Sequence, residues 1–130
     1  MNDSGKLFLG LQHIGIPTAD LEKTIAFYEQ FGFMVEWRRD ASETDRVAFL
    51  RCGSCVIETY LTDKPAMATG PVDHIAIDVS DIEAAYKYVQ GLGCTALEGG
   101  ITPLPFFEKG VKYFTILGVN KEKVEFNQKF

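Results

Sequence analysis

Residues 13–33 read HIGIPTADLEKTIAFYEQFGF, and residues 74–94 read HIAIDVSDIEAAYKYVQGLGC. Laid side by side without gaps, the two stretches share six identities: His13 with His74, Ile14 with Ile75, Ile16 with Ile77, Asp20 with Asp81, Glu22 with Glu83 and Gly32 with Gly93. Leu21 faces Ile82, Phe27 faces Tyr88 and Phe31 faces Leu92. The order of features tells more than the number of matches. Each copy runs from a β-branched stretch through an acidic helix start and an apolar helical stripe to a glycine stop. Such self-similarity marks a duplicated supersecondary unit.

Local chemistry supports the same elements in both copies. Leu11 to Pro17 and Val72 to Val79, rich in Ile and Val, predict strands. Ser80 and Glu83 match a capping box, and Asp20 and Asp81 suit helix N-termini. Ile82, Ala85, Tyr86, Val89 and Leu92 recur at helical spacing, as do Leu21, Thr24, Ile25, Tyr28 and Phe31. Gly32 and Gly93 suit the left-handed residue that closes a helix.

Strand-like runs follow each helix: Phe33 to Arg39, Arg46 to Cys52 and Cys55 to Thr62 in the first half, then Thr95 to Glu98, Val111 to Leu117 and Lys123 to Lys129 in the second. Both halves therefore read β-α-β-β-β, an α+β pattern. Module one spans about 7–62, a Pro- and Gly-containing linker 63–71, and module two about 72–130, within a single domain of 1–130. Neither half buries its sheet alone, so the two are expected to pair in one cupped, eight-stranded mixed sheet. Gly99 to Gly110 is the longest irregular stretch and a candidate loop over a site.

The totals exclude several classes of function. The chain has 130 residues, 46% hydrophobic and 24% charged, with a net charge of -5. No basic stripe offsets that acidity, and the densest Lys/Arg cluster is Arg38-Arg39, so nucleic acid is not an expected partner. No apolar run approaches the ~20 residues that span a bilayer. The opening MNDSGKLFLGLQ lacks the basic start and apolar centre of a signal peptide. Three cysteines make no disulfide framework, which fits a reducing, cytoplasmic location.

The two His residues of the chain occupy matching places in the repeats. Strand alternation puts Ile14 and Ile16, or Ile75 and Ile77, on one face; His13 with Gly15, and His74 with Ala76, lie on the other. Each His thus has a small neighbour on its own face, which leaves room for a ligand. The last strand of each half carries an isolated acid: Glu58 in VIETYL and Glu125 in KVEFNQ. Two His and two Glu pointing into one hollow are costly as unpaired groups, and a divalent metal resolves the cost. Imidazole with carboxylate suits Zn, Ni or Co first, with Mn or Fe(II) also compatible. The proposed metal ligands are His13, Glu58, His74 and Glu125.

Cys52 and Cys55 form a Cys-x-x-Cys, but Gly53-Ser54 between two strand-like runs reads as a hairpin turn. The helix N-terminus that activates such thiols is missing, and Cys94 is remote in sequence. Neither a redox nor a metal role is assigned to the three cysteines. Arg46, Lys109 and Lys112 are cationic candidates for an acidic substrate, although most such residues are simply solvated. Phe106 and Phe107 either wall a pocket or pack.

The stretches LQHIGIPTADLEKTIAFYEQFGF, VIETYL, VDHIAIDVSDIEAAYKYVQGLG and KVEF resemble the vicinal oxygen chelate superfamily, the glyoxalase/bleomycin-resistance group. The His, Glu, His, Glu set is similar to that of glyoxalase I (lactoylglutathione lyase). The resemblance implies two modules around one metal, with His13, Glu58, His74 and Glu125 as ligands. It implies proton transfer α to a carbonyl through a metal-stabilised enediolate, with Glu125 or Glu58 as catalytic base and acid. The implied activity is that of a lyase or isomerase acting on a methylglyoxal–thiol hemithioacetal. The same fold also implies two alternatives: an acyl-thioester epimerase like methylmalonyl-CoA epimerase, and a small-molecule binding or resistance protein without catalysis. A small-molecule substrate and a homodimer are the implied partners. The chain departs from glyoxalase I at Pro17, where an Arg that helps bind glutathione is usual, and at GVNKEK (118–123), where Asp-Pro-Asp-Gly is common. The resemblance therefore leaves the thiol open.

Overall fold

A computed structural model describes Leu7 and residues 9–130. Most of the opening stretch, judged above not to be a signal peptide, lies outside the described residues, as does the start of module one apart from Leu7. The chain falls into two compact units, 1–65 and 66–130.

The first unit contains β1 (Ile14–Thr18), α1 (Leu21–Glu29), β2 (Met34–Asp40), β3 (Arg46–Cys52) and β4 (Cys55–Leu61). The second contains β5 (His74–Asp78), α2 (Ile82–Gly91), β6 (Thr102–Leu104), β7 (Val111–Leu117) and β8 (Lys123–Lys129). The eight strands form two four-stranded sheets, in the orders β1-β4-β3-β2 and β5-β8-β7-β6. In each, the first strand runs parallel to the last, and the remaining neighbours are antiparallel. The duplicated sequence thus folds into two copies of one β-α-β-β-β module.

Both helices begin and end by the same chemistry. The Asp20 carboxylate accepts a hydrogen bond from the Lys23 N–H, and that of Asp81 accepts one from the Ala84 N–H. These bonds satisfy donors that the helix itself leaves unpaired. The cap of α2 is therefore Asp81, not Ser80: the extended backbone (φ -149°, ψ 102°) sits at Asp81, one residue later than the capping-box reading. At the other ends, Gly32 and Gly93 take φ 87° and 86°, and the chain reverses. The Phe33 N–H then donates to the Tyr28 carbonyl (3.3 Å) and the Cys94 N–H to that of Val89 (3.4 Å), closing both helices alike.

Each helix covers one face of its own sheet. In module one, Leu21, Ile25 and Tyr28 are buried with Ile16, Ala48, Leu50 and Ile57. Tyr28 packs edge-to-face on Phe33 with ring centres 5.3 Å apart. In module two, Ile82 and Val89 are buried with Phe114, Ile116, Val124 and Phe126. Four of the expected helix-stripe residues are less covered: Phe31, Ala85 and Tyr86 are half-buried and Leu92 is exposed. Thr18 and Thr24, both fully buried, join by hydroxyls 2.9 Å apart.

Some expected strands shift. The β1 ladder starts at Ile14, pairing with Ile57, so His13 immediately precedes the strand instead of lying inside it. Likewise β5 is His74–Asp78 and shorter than Val72 to Val79. The larger correction is in module two. Thr95 to Glu98 is not a strand, and the second strand of the module is Thr102–Leu104, inside the stretch expected to be irregular. The 97–98 segment still docks on β7: the Leu97 N–H donates to the Thr115 carbonyl (2.8 Å), and the Glu98 carboxylate accepts from the Thr115 N–H (2.7 Å). A side chain thus supplies half of what a backbone ladder would. Pro103 hid the true strand, and it is tolerated because β6 is the edge of its sheet.

Candidate metal centre

The face of each sheet away from its helix carries the four polar residues singled out by sequence. In module one Glu58 lies on β4 between Gly15 of β1 and Phe49 of β3. A Cβ on Gly15 would stand 3.9 Å from Glu58 Oε1, an ordinary contact distance, so a small residue suffices beside the carboxylate. His13 approaches from the start of β1, its Nε2 3.3 Å from Glu58 Oε1. The imidazole meets Phe49 edge-on at 5.4 Å between ring centres, and Trp37 lies beyond at 6.0 Å from Phe49. A register shift between Val35 and Trp37 puts Trp37 opposite Phe49.

Module two repeats the arrangement. Glu125 lies on β8 between Ala76 of β5 and Thr115 of β7. His74 Nε2 stands 3.3 Å from Glu125 Oε1, the same separation as in module one. The other carboxylate oxygen, Oε2, accepts a hydrogen bond from the Asn127 amide at 2.8 Å. Glu125 is the more enclosed of the two acids, with 14% of its side chain exposed against 28% for Glu58. A cavity of about 280 Å³ opens beside this pair, with Asp73, Lys123 and Tyr113 in its wall.

The residue before each histidine sets its chemistry. His13 Nδ1 lies 3.0 Å from Gln12 Oε1, and His74 Nδ1 lies 2.9 Å from Asp73 Oδ2. An ionised carboxylate only accepts, so in module two the proton sits on Nδ1. Nε2 is then left with a lone pair aimed at a carboxylate oxygen. Two electron-rich atoms at that distance call for a cation between them: a proton, giving an imidazolium–carboxylate pair, or a metal ion. Asp73 is itself held below its ordinary carboxyl value, first by its bond with His74 and then by Lys123 Nζ at 3.2 Å. Such outer acceptors orient a ligating imidazole and raise its basicity.

Each module therefore brings together one His and one Glu. Among the described residues no group of three or more His, Cys, Asp or Glu side chains forms a ready metal cage. What each module offers is two donors of the type a divalent ion takes.

Sequence reasoning missed Gln12, Asp73, Asn127, Phe49 and Trp37. Gln12 and Asp73 were detectable as acceptors at the same place in both repeats, and Asn127 as the next residue on the Glu125 face.

Other candidates fall elsewhere. Arg46 is occupied: its Nε lies 2.6 Å from Asp40 Oδ1 and its Nη2 2.6 Å from Glu22 Oε1. Arg38 bridges the same two acids, so this cluster pins the start of α1 to β2 and β3. Lys109, Lys112 and Phe107 line a different cavity from the one beside His74. Cys52 and Cys55 pair across a tight turn with Gly53 at φ 59°, and all three cysteines are free thiols. Burial, with Cys52 second, pushes the Cys55 thiol up, away from reactivity.

No helix among the described residues is long and apolar enough to cross a membrane. The chain is 31% identical over 127 residues to the uncharacterized protein YwbC of Bacillus subtilis strain 168, covering 92% of this chain and 97% of that one. Its fold matches the crystal structure of a glyoxalase family protein from Enterococcus faecalis, with a TM-score of 0.75, 23% identity and coverage of 93% and 98% of the two chains. It also matches the genomically encoded fosfomycin resistance protein FosX of Listeria monocytogenes, with a TM-score of 0.73, 18% identity and 93% of each chain covered. A family model fits residues 10–101, a span that takes in His13, Glu58 and His74. With the duplicated module and the repeated His–Glu face, that match places the chain in the Glyoxalase/Bleomycin resistance protein/Dioxygenase superfamily.

Proposed function

We propose that this protein is a metal-dependent lyase or isomerase of the glyoxalase I type, moving a proton at carbon α to a carbonyl of a methylglyoxal–thiol adduct. The observation that carries the reading is the twice-repeated contact of His Nε2 with Glu Oε1 at 3.3 Å. In both copies Nδ1 faces an acceptor on the preceding residue. The donor chemistry fits a divalent ion such as zinc, nickel or cobalt. His13, Glu58, His74 and Glu125 are the residues that would hold it.

When bound, such an ion supplies positive charge to substrate oxygens as the neighbouring C–H ionises. The rest is done by the chain. Gln12 and Asp73 fix the imidazole tautomers. Gly15 and Ala76 leave space beside the two carboxylates. Asn127 anchors one oxygen of Glu125, and either Glu58 or Glu125 takes the proton and returns it to the adjacent carbon. A homodimer in the cytoplasm is the working state in this reading.

The test is formation of a thioester, followed by its ultraviolet absorbance, from methylglyoxal and a panel of thiols with each metal in turn. Turnover should fall by about 10²–10⁴-fold when the acting base is replaced, in Glu58→Gln or Glu125→Gln. Turnover unaffected by either change would refute the assignment. Absence of thioester formation together with solvent deuterium entering acyl thioesters would replace it with epimerisation.

A further inference from the structure

We propose that a groove at the far end of the module-two sheet, built by Phe107, Lys109, Lys112, Lys129 and Phe130, binds an aromatic anion: a planar ring system carrying a phosphate or carboxylate. The groove is a cavity of about 570 Å³. A second cavity, which shares Phe107, Glu108, Lys109 and Phe130 in its lining, reaches Lys129 on the other face of the sheet end.

Charge sets this place apart. The chain is acidic overall, with a net charge of -5. Its four arginines, Arg38, Arg39, Arg46 and Arg51, all pair with carboxylates, and Lys123 pairs with Asp73. Lys109, Lys112 and Lys129 form no ion pair among the described residues, as is also true of Lys23, Lys64, Lys87 and Lys121; what distinguishes these three is that they gather at one end of the sheet, where Glu108 shares the lining. What two of them meet instead is aromatic. Lys129 Nζ lies 3.9 Å above the centre of the Phe107 ring, and Lys112 Nζ lies 5.6 Å from that of Phe130. An ammonium on a ring face leaves its remaining donors free for an anion.

The aromatic side chains are presented rather than packed. Phe107 is 68% exposed and Phe130 46% exposed. Phe107 also takes φ 64°, a left-handed conformation unfavourable for a side chain of this size. Strain of this kind persists where the surroundings impose it, and such places tend to be ligand sites. The surroundings are stiff: Pro103 and Pro105 restrict the approach to the turn. Gly110 (φ 79°) leaves it where a Cβ would come 3.1 Å from the Leu104 carbonyl. The Phe130 N–H donates to the Gly110 carbonyl at 3.0 Å, tying the end of β8 to the loop. The groove is thus built before any ligand arrives.

Position adds a limit on ligand length. Lys129 and Glu125 share a face of β8, four residues apart, which at ~3.3 Å per residue is about 13 Å. An anion seated at Lys129 leaves that span to the His74–Glu125 pair. Binding at the groove stands independently of any reaction at that pair.

The experiment is titration of the full chain with 1-naphthyl phosphate, adenosine 5′-monophosphate, 1-naphthoate, inorganic phosphate and neutral adenosine, read by nuclear magnetic resonance shifts. We expect the three aromatic anions to bind and to perturb residues 104–112 and 129–130, with inorganic phosphate and adenosine at least tenfold weaker. Naphthyl phosphate against naphthoate separates phosphate from carboxylate as the preferred anion. Lys109→Gln with Lys129→Gln should weaken binding at least tenfold. Phe107→Gly should weaken it similarly while leaving thermal stability unchanged or raised, because glycine accepts the left-handed backbone. The proposal is overturned by inorganic phosphate binding as tightly as the aromatic anions, by affinities unchanged in these variants, or by no shifts in the groove with any probe.

Discussion

Asp73→Ala gives the sharpest reading of the module-two pair. In the native chain Asp73 Oδ2 receives the Nδ1 proton of His74 at 2.9 Å, while Oδ1 pairs with Lys123 at 3.2 Å. Removing the carboxylate frees the imidazole to rotate and to exchange tautomers, and it removes a negative charge beside the ligating ring. Loss of such an outer partner weakens metal binding by about 10–100-fold. Asp73→Asn, which keeps an acceptor but loses the charge, should fall between Ala and native. Folding should be almost unaffected, because Asp73, His74 and Lys123 are all substantially exposed and such ion pairs contribute little. The assay is competition between the protein and a chromophoric chelator for cobalt or zinc, with thermal melts of the metal-free variants alongside. Native metal affinity in Asp73→Ala, with the fold intact, would refute the reasoning. Affinity lost together with the fold would assign Asp73 a structural part instead.

Further outcomes follow from the framework around the site. The Thr59 hydroxyl is buried without a hydrogen-bond partner, so Thr59→Val should stabilise module one by about 1 kcal/mol in urea unfolding. Thr18→Val should destabilise it by about 1–3 kcal/mol, because the Thr18 hydroxyl bonds Thr24 and accepts from the Asp20 N–H. Arg38, then Arg46, holds the Asp40 carboxyl down at about 2 from its ordinary 3.8. A depressed folded value means that its contribution is complete above the ordinary value and is lost as pH falls towards about 2. The melting temperature of Asp40→Asn should therefore fall less steeply than that of the native chain over that acid range. High salt should narrow the difference. Glu22, lowered by the same arginines, should behave alike.

The fold was legible because the sequence states it twice. His13 to Phe33 and His74 to Cys94 share cap, stripe and stop, and the structure closes both helices with the same backbone bonds. The intruding acids were legible because Ile57 and Thr59, or Val124 and Phe126, are buried on one face and leave Glu58 and Glu125 on the other. Sequence misled where a side chain replaced backbone. Glu98 satisfies the Thr115 N–H, so 95–98 docks without becoming a strand. It also misled where an edge strand tolerates Pro103. The role of Arg46 was hidden because its partners, Glu22 and Asp40, come from distant elements that only the folded sheet brings together. The outer acceptors Gln12 and Asp73 differ in type, so identity matching passed over them although their positions correspond.

The central claim is that His13, Glu58, His74 and Glu125 act as one ligand set. The direct measurement is metal content and affinity per chain, by elemental analysis and calorimetric titration, for the native protein, Glu58→Gln and Glu125→Gln. One tightly held divalent ion per chain is expected, lost in either variant although the two acids belong to different modules. Two ions per chain, or one that survives either substitution, would show the pairs acting separately and would contradict it.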